Sequence, residues 1–315
     1  MPKGFFTQTL CVLTSRDVRL AEIAGVMKPW NVVGSTAANA DWQLSAASLV
    51  VAYRPDVNGK ITIDCVNHPW PDAMGDPKQD PTTFGAWSMG YFGPFTYPQG
   101  LARAGQHSWS WQPGRTIAAA HTGFIRIRSS YALGNNPNAP LLPKDYQPTP
   151  ELDFLTKLAL AILEVPGTLC YFNPGGEVLR DKAGLQELSD DYKQAKQPPL
   201  PVWCNVRFFA LNKSWFLMDT VGNRQLDMPD LEVIFPIAEY GPERIDEYLR
   251  DVSAYLLDAG ASVLRDGDKI DGPGESELSW EIMQLDDSAI DPPRPLFRLI
   301  PTKDKATIAT FTKRT

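Results

Sequence analysis

Two long segments place apolar residues at the three- and four-residue spacing of an amphipathic helix. The first is predicted to begin at Thr149, a good N-cap residue, with Pro150 at the first helical position. Its apolar stripe consists of Leu152, Leu155, Leu158, Ala159, Ile162 and Leu163. The second is predicted to run from Pro242 to Asp258 and to end at Gly260. Its apolar stripe consists of Ile245, Tyr248, Leu249, Val252, Tyr255 and Leu256.

Shorter apolar runs bounded by turn residues predict β-strands. These runs cover 5–13, 48–53, 60–66, 168–172, 202–209, 214–218, 231–236, 277–283 and 296–300. Asn58 and Gly59 separate two of them and predict a hairpin with a type I′ turn. Shorter helices are predicted over 18–26 and 177–188. Because helices and strands do not alternate strictly, the pattern predicts an α+β fold with mixed or antiparallel sheets and flanking helices.

The middle of the chain is rich in proline, glycine and aromatic residues. We expect 68–105 to be an ordered loop, because it is too apolar for disorder and too broken for a regular element. Apolar and polar residues alternate around Trp109 and Trp111 and again over 124–128, and this pattern predicts half-exposed strands. The stretch 134–150 carries proline and asparagine at positions that exclude a helix interior or a central strand. It therefore predicts a linker between two α+β subdomains, 1–140 and 150–315.

Charge is distributed unevenly along the chain. Residues 227–291 hold eighteen acidic and four basic residues, a charge of −14, whereas the whole chain has a formal charge of −7. The segment 292–315 is basic, with six Lys or Arg against one Asp. Such asymmetry concerns partners and association rates rather than fold, and it favours a basic protein partner over nucleic acid. A solvated acidic face without a function is the alternative.

The N-terminus, the apolar segments and the cysteines indicate the compartment of the protein and the redox state of its thiols. The N-terminus shows no signal-peptide pattern, no stretch has the length of a membrane span, and we expect a cytoplasmic protein. The four cysteines, Cys11, Cys65, Cys170 and Cys204, lie far apart in apolar runs. We therefore expect buried, reduced thiols rather than disulfides or a zinc site.

Few residues offer catalytic chemistry. The chain has three histidines, His68, His107 and His121, and none lies in a metal-binding motif. Nucleophile elbows and glycine-rich phosphate loops are also missing from the sequence, so we expect neither catalytic residues nor a cofactor. A calcium loop starting at Asp266 would have carboxylates at positions one, three and twelve. It would lack the glycine at position six, which is Asp271, and the same residues fit a tight exposed turn.

The sequence resembles a bacterial family of unassigned domain function that overlaps with TsiT-like immunity proteins of type VI secretion nuclease toxins. The features that carry the resemblance are 70–72, 84–87, 92–94, 121–128, the helix after Gly241 and 266–268. They are packing and turn residues, so the resemblance concerns fold more than function. It implies a non-enzymatic inhibitor that binds a cognate basic nuclease in the cytoplasm.

The residues expected to contact that partner combine acids and exposed aromatics. They are Asp266, Asp268, Asp271, Glu275, Glu277, Asp286, Asp287, Trp109 and Trp111. Two alternatives remain open. One is an enzyme whose pocket is formed by His107, His121, the carboxylates of 266–271 and the aromatics of 84–97. The other is a scaffold or chaperone for a secretion cargo, which would leave the activity of its cargo intact.

Overall fold

The computed structural model describes residues 3–135, 140–273 and 279–311. The chain divides into two compact units, Met1–Trp203 and Cys204–Thr315. The boundary therefore lies well beyond the linker predicted at 134–150. The helix that follows that linker packs on the first sheet, and the next two strands complete the same sheet. Two α+β subdomains are confirmed, but their division differs from 1–140 and 150–315.

The first unit is built on a seven-stranded antiparallel sheet. Its strands are β1 (Gln8–Thr14), β2 (Val32–Thr36), β3 (Ser48–Ala52), β4 (Lys60–Val66), β5 (Gly123–Ser130), β6 (Thr168–Asn173) and β7 (Val178–Arg180). They lie in the order β2-β3-β4-β5-β1-β6-β7. The hairpin β3–β4 is confirmed, but the type I′ turn was wrong. Pro55 starts a 3-10 turn, and positive φ angles occur at Arg54 and Asn58 rather than at Gly59.

Seven helices accompany this sheet among the described residues. They are α1 (Leu20–Val26), α2 (Pro81–Ser88), α3 (Gly100–Gln106), α4 (Gly114–Ala119), α5 (Pro148–Ile162), α6 (Lys182–Gln194) and α7 (Leu200–Trp203). The apolar stripe predicted for α5 is buried. The segment 68–105 contains α2 and most of α3 and is more regular than the expected loop. Trp109 and Trp111 lie in the connection between α3 and α4 and not in a strand.

An aromatic cluster forms the core beneath α2, α3 and α4. Trp70 lies at its centre, with ring centroids 5.2–5.4 Å from those of Phe92, Phe124 and Phe172. Trp87 adds a further edge contact at 6.1 Å. All five side chains are less than a tenth exposed. The aromatic richness of the predicted loop is therefore explained by packing.

Strand β5 is buried on both faces, which contradicts the half-exposed strand predicted over 124–128. Arg126 lies 2.5 Å from Asp64 in an ion pair whose two side chains have no exposed surface. Arg128 contacts the same carboxylate at 3.4 Å. Burial alone would raise the pKa of Asp64, but the two guanidinium groups outweigh this effect. They keep the pKa below the usual value for an aspartate. A long-range partner thus allows these arginines to be buried.

The second unit is built on a six-stranded mixed sheet. Its strands are β8 (Asn205–Ala210), β9 (Trp215–Val221), β10 (Asp230–Pro236), β11 (Lys269–Asp271), β12 (Ser279–Leu285) and β13 (Leu296–Pro301). They lie in the order β11-β12-β13-β10-β9-β8, and only β10 and β13 are parallel to one another. The helices are α8 (Pro242–Ala259) and the short α9 (Lys305–Ile308). Together the two sheets confirm the predicted α+β class.

The amphipathic stripe predicted for α8 is buried at Ile245, Leu249, Val252 and Leu256. Tyr255 departs from that prediction, because 49% of its surface is exposed. Trp280 on β12 is fully buried, and its ring lies 5.3 Å from that of Tyr248 on α8. Trp203 in the first unit is also fully buried. The thiols of all four cysteines are free, and burial raises the pKa of each.

A chain of ion pairs is buried in the second unit. Arg207 donates to both carboxylate oxygens of Asp219, at 2.9 and 2.6 Å. Arg294 donates to Asp219 at 2.7 Å and to Asp230 at 3.1 Å. Each of these four side chains is almost completely buried. The network joins β8, β9 and β10 to the segment that precedes β13.

Candidate functional site

The acidic block is partly neutralised by the basic segment that follows it. Asp230 and Glu232 on β10 pair with Arg294 and Arg298, and Glu232 accepts from Arg298 Nε at 2.6 Å. Two more exposed pairs join Glu239 to Lys303 and Glu281 to Lys305. Sequence proximity therefore overstated the acidic surface, because these carboxylates already have cationic partners.

The exposed acids of the second unit lie on α8 and next to β11. Glu247, Asp251 and Asp258 are exposed at i, i+4 and i+11 on one face of α8. Across from the helix, Asp266, Asp268 and Asp271 are exposed in or beside the edge strand. Asp286 and Asp287 are exposed in the turn after β12. The structure thus places five of the predicted contact residues on the second unit, whereas Glu275 and Glu277 lie outside the described residues.

A groove of about 620 Å³ separates α8 from β11. We refer to this feature as the α8–β11 groove. Its aromatic and aliphatic lining includes Tyr248, Val252, Tyr255, Val263 and Ile270. Its charged lining consists of Asp251, Asp268, Lys269 and Asp271. Carboxylates therefore flank apolar surface on both walls, a combination suited to a basic and partly apolar ligand.

One hydrogen bond joins the two walls of the groove. Tyr248 Oη on α8 donates to the carbonyl oxygen of Asp271 on β11 at 2.7 Å. Burial and the nearby carboxylate of Asp271 raise the pKa of the Tyr248 hydroxyl, which keeps it a donor. Because β11 has only three residues, this bond supplements a short ladder to β12. Tyr248 therefore positions the edge strand against the helix.

Replacement of Tyr248 with phenylalanine is expected to lower the free energy of unfolding by about 1 kcal/mol, because one buried hydrogen bond is lost. Tyr255→Phe is the matched control, because the Tyr255 ring is half exposed and its hydroxyl has no hydrogen bond with any described residue. Urea unfolding of both variants measures the difference. Equal changes in unfolding free energy for the two substitutions would contradict a stabilising hydrogen bond from Tyr248 to β11.

The candidate calcium loop has a different structure in its described part. The Asp266 carboxylate accepts from the backbone N–H of Gln284 at 2.8 Å, and the Asp268 carboxylate accepts from that of Arg265 at 2.7 Å. Residues 269–271 form β11. No group of three or more His, Cys, Asp or Glu suited to a metal ion occurs within 3–135, 140–273 and 279–311. Asp266 and Asp268 therefore order the approach to the edge strand.

The two predicted aromatic contacts lie in the first unit. Trp109 is 55% exposed, with its ring 5.8 Å from that of His107. Trp111 is half-buried and packs against the aromatic cluster around Trp70. The predicted contact set is therefore divided between the two compact units. Tyr255 was predicted to be part of the buried stripe of α8, but its exposed ring lines the α8–β11 groove beside the acids.

The residues of the proposed enzymatic pocket are not gathered in one unit. His107 and His121 belong to the first unit, and the carboxylates of 266–271 belong to the second. His121 Nε2 accepts from the Trp70 N–H at 2.7 Å, and Nδ1 donates to the Ala118 carbonyl at 2.5 Å. Burial lowers the pKa of His121, which favours the neutral ring. This histidine therefore has a structural role.

The other features that carry the family resemblance also have structural roles. The Asp72 carboxylate accepts from the N–H groups of Leu101 and Ala102 at 2.8 and 2.9 Å, which caps the start of α3. Trp70, Trp87 and Phe92 belong to the aromatic cluster described above. These residues specify the packing of the first unit.

Comparison with protein families gives a match in the second unit. A family model described as "Domain of unknown function (DUF4261)" matches residues 219–300. This region runs from the second half of β9 into β13 and contains both walls of the α8–β11 groove. No curated protein and no solved structure matches the chain. Within the described residues, no helix combines the length and apolar character needed to cross a bilayer.

Proposed function

We propose that this protein is a non-enzymatic immunity protein that binds and neutralises a cognate nuclease toxin through the acidic surface of its second unit. The observation that carries the proposal is the α8–β11 groove, whose lining combines Asp251, Asp268 and Asp271 with aromatic and aliphatic residues. The resemblance to immunity proteins of type VI secretion nucleases supports the choice of partner. The protein would act in the cytoplasm of the cell that makes both proteins.

Charge complementarity supports a nuclease as the partner. A nuclease binds phosphate groups and therefore concentrates Lys and Arg around its substrate site. Exposed carboxylates on α8 and beside β11 would attract such a surface and orient it during encounter. Steering of this kind raises association rates by about 10- to 1,000-fold and weakens as salt is added. The acidic groove supports rapid capture of the toxin.

Affinity requires more than charge, and the groove offers apolar anchors. Tyr255 is 49% exposed and Val263 is 37% exposed, and both line the groove. Tyrosine is enriched among the residues that dominate binding energy at interfaces, especially where surrounding residues exclude water. We expect these side chains to slow dissociation, whereas the exposed carboxylates mainly speed association.

The direct test is co-purification of this protein with the product of the neighbouring gene, followed by a DNA-degradation assay on the mixture. A stable complex in which nuclease activity is lost supports the immunity function. A complex with full nuclease activity would contradict it and favour the scaffold or chaperone. Absence of binding would also contradict it and return attention to an enzymatic role.

Neutralising two acids on α8 is expected to slow association with the nuclease about threefold to tenfold at low salt. The variant is Glu247→Gln combined with Asp251→Asn, an exposed i, i+4 pair next to the groove. The matched control is Glu187→Gln combined with Asp191→Asn, an exposed i, i+4 pair on α6 of the first unit. Stopped-flow association at several salt concentrations measures both. Equal slowing by both variants would show that the effect is not specific to the groove.

A further inference from the structure

Strand β11 is the terminal strand of the second sheet in the part of the chain that the structure describes. It pairs with β12 on one side, where Lys269, Ile270 and Asp271 lie opposite Glu281, Trp280 and Ser279. Its other side borders the α8–β11 groove. A terminal strand presents backbone N–H and C=O groups that can pair with an additional strand. The groove therefore has a backbone edge as one of its walls.

The hydrogen-bond pattern shows which backbone groups face the groove. The Asp268 carbonyl accepts from the Ile282 N–H at 2.8 Å, so this carbonyl points toward β12. In an antiparallel pair, facing alternates along the strand, and Ile270 then also bonds to β12. The N–H and C=O of Lys269 and Asp271 point the other way. The bond from Tyr248 Oη to the Asp271 carbonyl agrees with this direction.

We propose that the toxin binds this groove with an extended, lysine- or arginine-bearing segment that adds to β11 as a further strand. The inference rests on the proposed function and specifies its binding mode. The Lys269 N–H and C=O and the Asp271 N–H supply the main-chain pairing, while the Asp271 carbonyl stays with Tyr248. Alternate side chains of the added strand then face the groove, where Asp251 and Asp268 select basic residues.

An extended segment fits this site better than a helix does. A helix satisfies its own backbone groups and would cover those of Lys269 without pairing them, which has a free-energy cost when water is excluded. An added strand pairs them and leaves room for side chains in the groove of about 620 Å³. Tyr255 then packs against the aliphatic part of a lysine or arginine side chain.

Hydrogen exchange of neighbouring amides tests this mode in the full-length protein. The probe is a catalytically inactive form of the nuclease encoded beside this protein. In the free protein, the Lys269 amide is expected to exchange quickly and the Ile270 amide slowly, because only the latter bonds to β12. In the complex, Lys269 is expected to become at least about tenfold more protected, whereas Ile270 changes little. An unchanged Lys269 amide in a complex that forms would overturn the inference.

Two substitutions of Lys269 distinguish the contribution of its backbone N–H to binding from that of its side chain. Lys269→Pro removes the outward N–H that an added strand needs, and proline is tolerated where that N–H is not part of the ladder. Lys269→Ala keeps the N–H and removes a positive charge. We expect Lys269→Pro to weaken binding at least about tenfold, and Lys269→Ala to retain or increase affinity.

The outcomes distinguish this inference from the proposed function. If the wild-type protein does not bind the nuclease, the proposed function fails. If it binds and inhibits, but Lys269→Pro and Lys269→Ala behave alike, the function survives and the strand addition fails. Slow exchange at Ile270 in the Lys269→Pro variant verifies that the pairing of β11 with β12 is intact. If that pairing is lost, protection of the Lys269 amide in the wild-type complex decides the question.

Discussion

Replacement of Asp219 with asparagine is expected to lower the free energy of unfolding of the second unit by about 3–5 kcal/mol. Asp219 is fully buried between Arg207 and Arg294, and its carboxylate accepts from both. Without its charge, the two guanidinium groups remain buried with much of their charge uncompensated. Urea unfolding of the full chain, followed by circular dichroism, is expected to show a marked decrease in the transition midpoint.

The effect of Asp219→Asn on stability is also expected to depend on pH. Burial alone would raise the pKa of Asp219, but Arg207 and Arg294 lower it below the usual value for an aspartate. A carboxylate with a lowered folded-state pKa contributes stability above its unfolded pKa, and this contribution is lost as pH falls through the folded value. The stability difference between wild type and Asp219→Asn is therefore expected to narrow below about pH 4. Burial raises the pKa of Asp230 and Glu232, and the negative charge of Asp219 adds to both increases.

Asp246→Asn is the matched control for Asp219→Asn. Asp246 pairs with Arg250 four residues later on α8, and both side chains are about one-third exposed. Loss of such a pair costs about 0.3–0.5 kcal/mol, because water solvates the remaining charge. Similar unfolding free energies for Asp219→Asn and Asp246→Asn would contradict the buried network.

Replacement of Trp70 with alanine is expected to lower the free energy of unfolding by about 3–5 kcal/mol. Its indole contacts the rings of Trp87, Phe92, Phe124 and Phe172, so the substitution leaves a cavity at the centre of the aromatic cluster. Thermal or urea unfolding of the full chain measures the loss.

Trp109→Ala is the corresponding control for Trp70→Ala, because the Trp109 side chain is 55% exposed. Its substitution is expected to change the unfolding free energy by less than about 0.5 kcal/mol. Comparable losses of unfolding free energy for the two substitutions would contradict the central position of Trp70 in the core of the first unit.

Periodic segments were predicted well because their local pattern agrees with their tertiary role. The apolar stripes of α5 and α8 require only that one face be buried, a requirement that is visible in the sequence. The hairpin β3–β4 was predicted from two apolar runs that flank a short turn. The exception on α8 is Tyr255, which continues the stripe but emerges beside the groove. Near the end of an amphipathic helix, periodicity does not show where the neighbouring layer stops.

Long-range charge pairing could not be predicted from local patterns. Arg126 and Arg128 alternate with apolar residues and resemble a solvent-facing row, but Asp64 pairs with both from β4. The acidic block was similarly interpreted as surface, whereas Asp230 and Glu232 are buried against Arg294 and Arg298. Sequence counts give the charge of a segment, but only the fold determines which charges have partners.

The candidate site was partly predicted. Asp268 and Asp271 were selected as contact residues, and they line the α8–β11 groove. Asp251 was not among the selected contact residues, and the edge strand was interpreted as a tight turn. A three-residue strand gives almost no periodic signal, so its pairing with β12 becomes visible only in the structure.

The central claim is that this protein neutralises a nuclease through its acidic groove. The most direct measurement is the titration of the neighbouring gene's nuclease with the wild-type protein in a DNA-degradation assay. We expect equimolar protein to abolish degradation, and we expect the Glu247→Gln/Asp251→Asn variant to require a higher concentration than the Glu187→Gln/Asp191→Asn control. Undiminished DNA degradation in the presence of excess wild-type protein would contradict the claim.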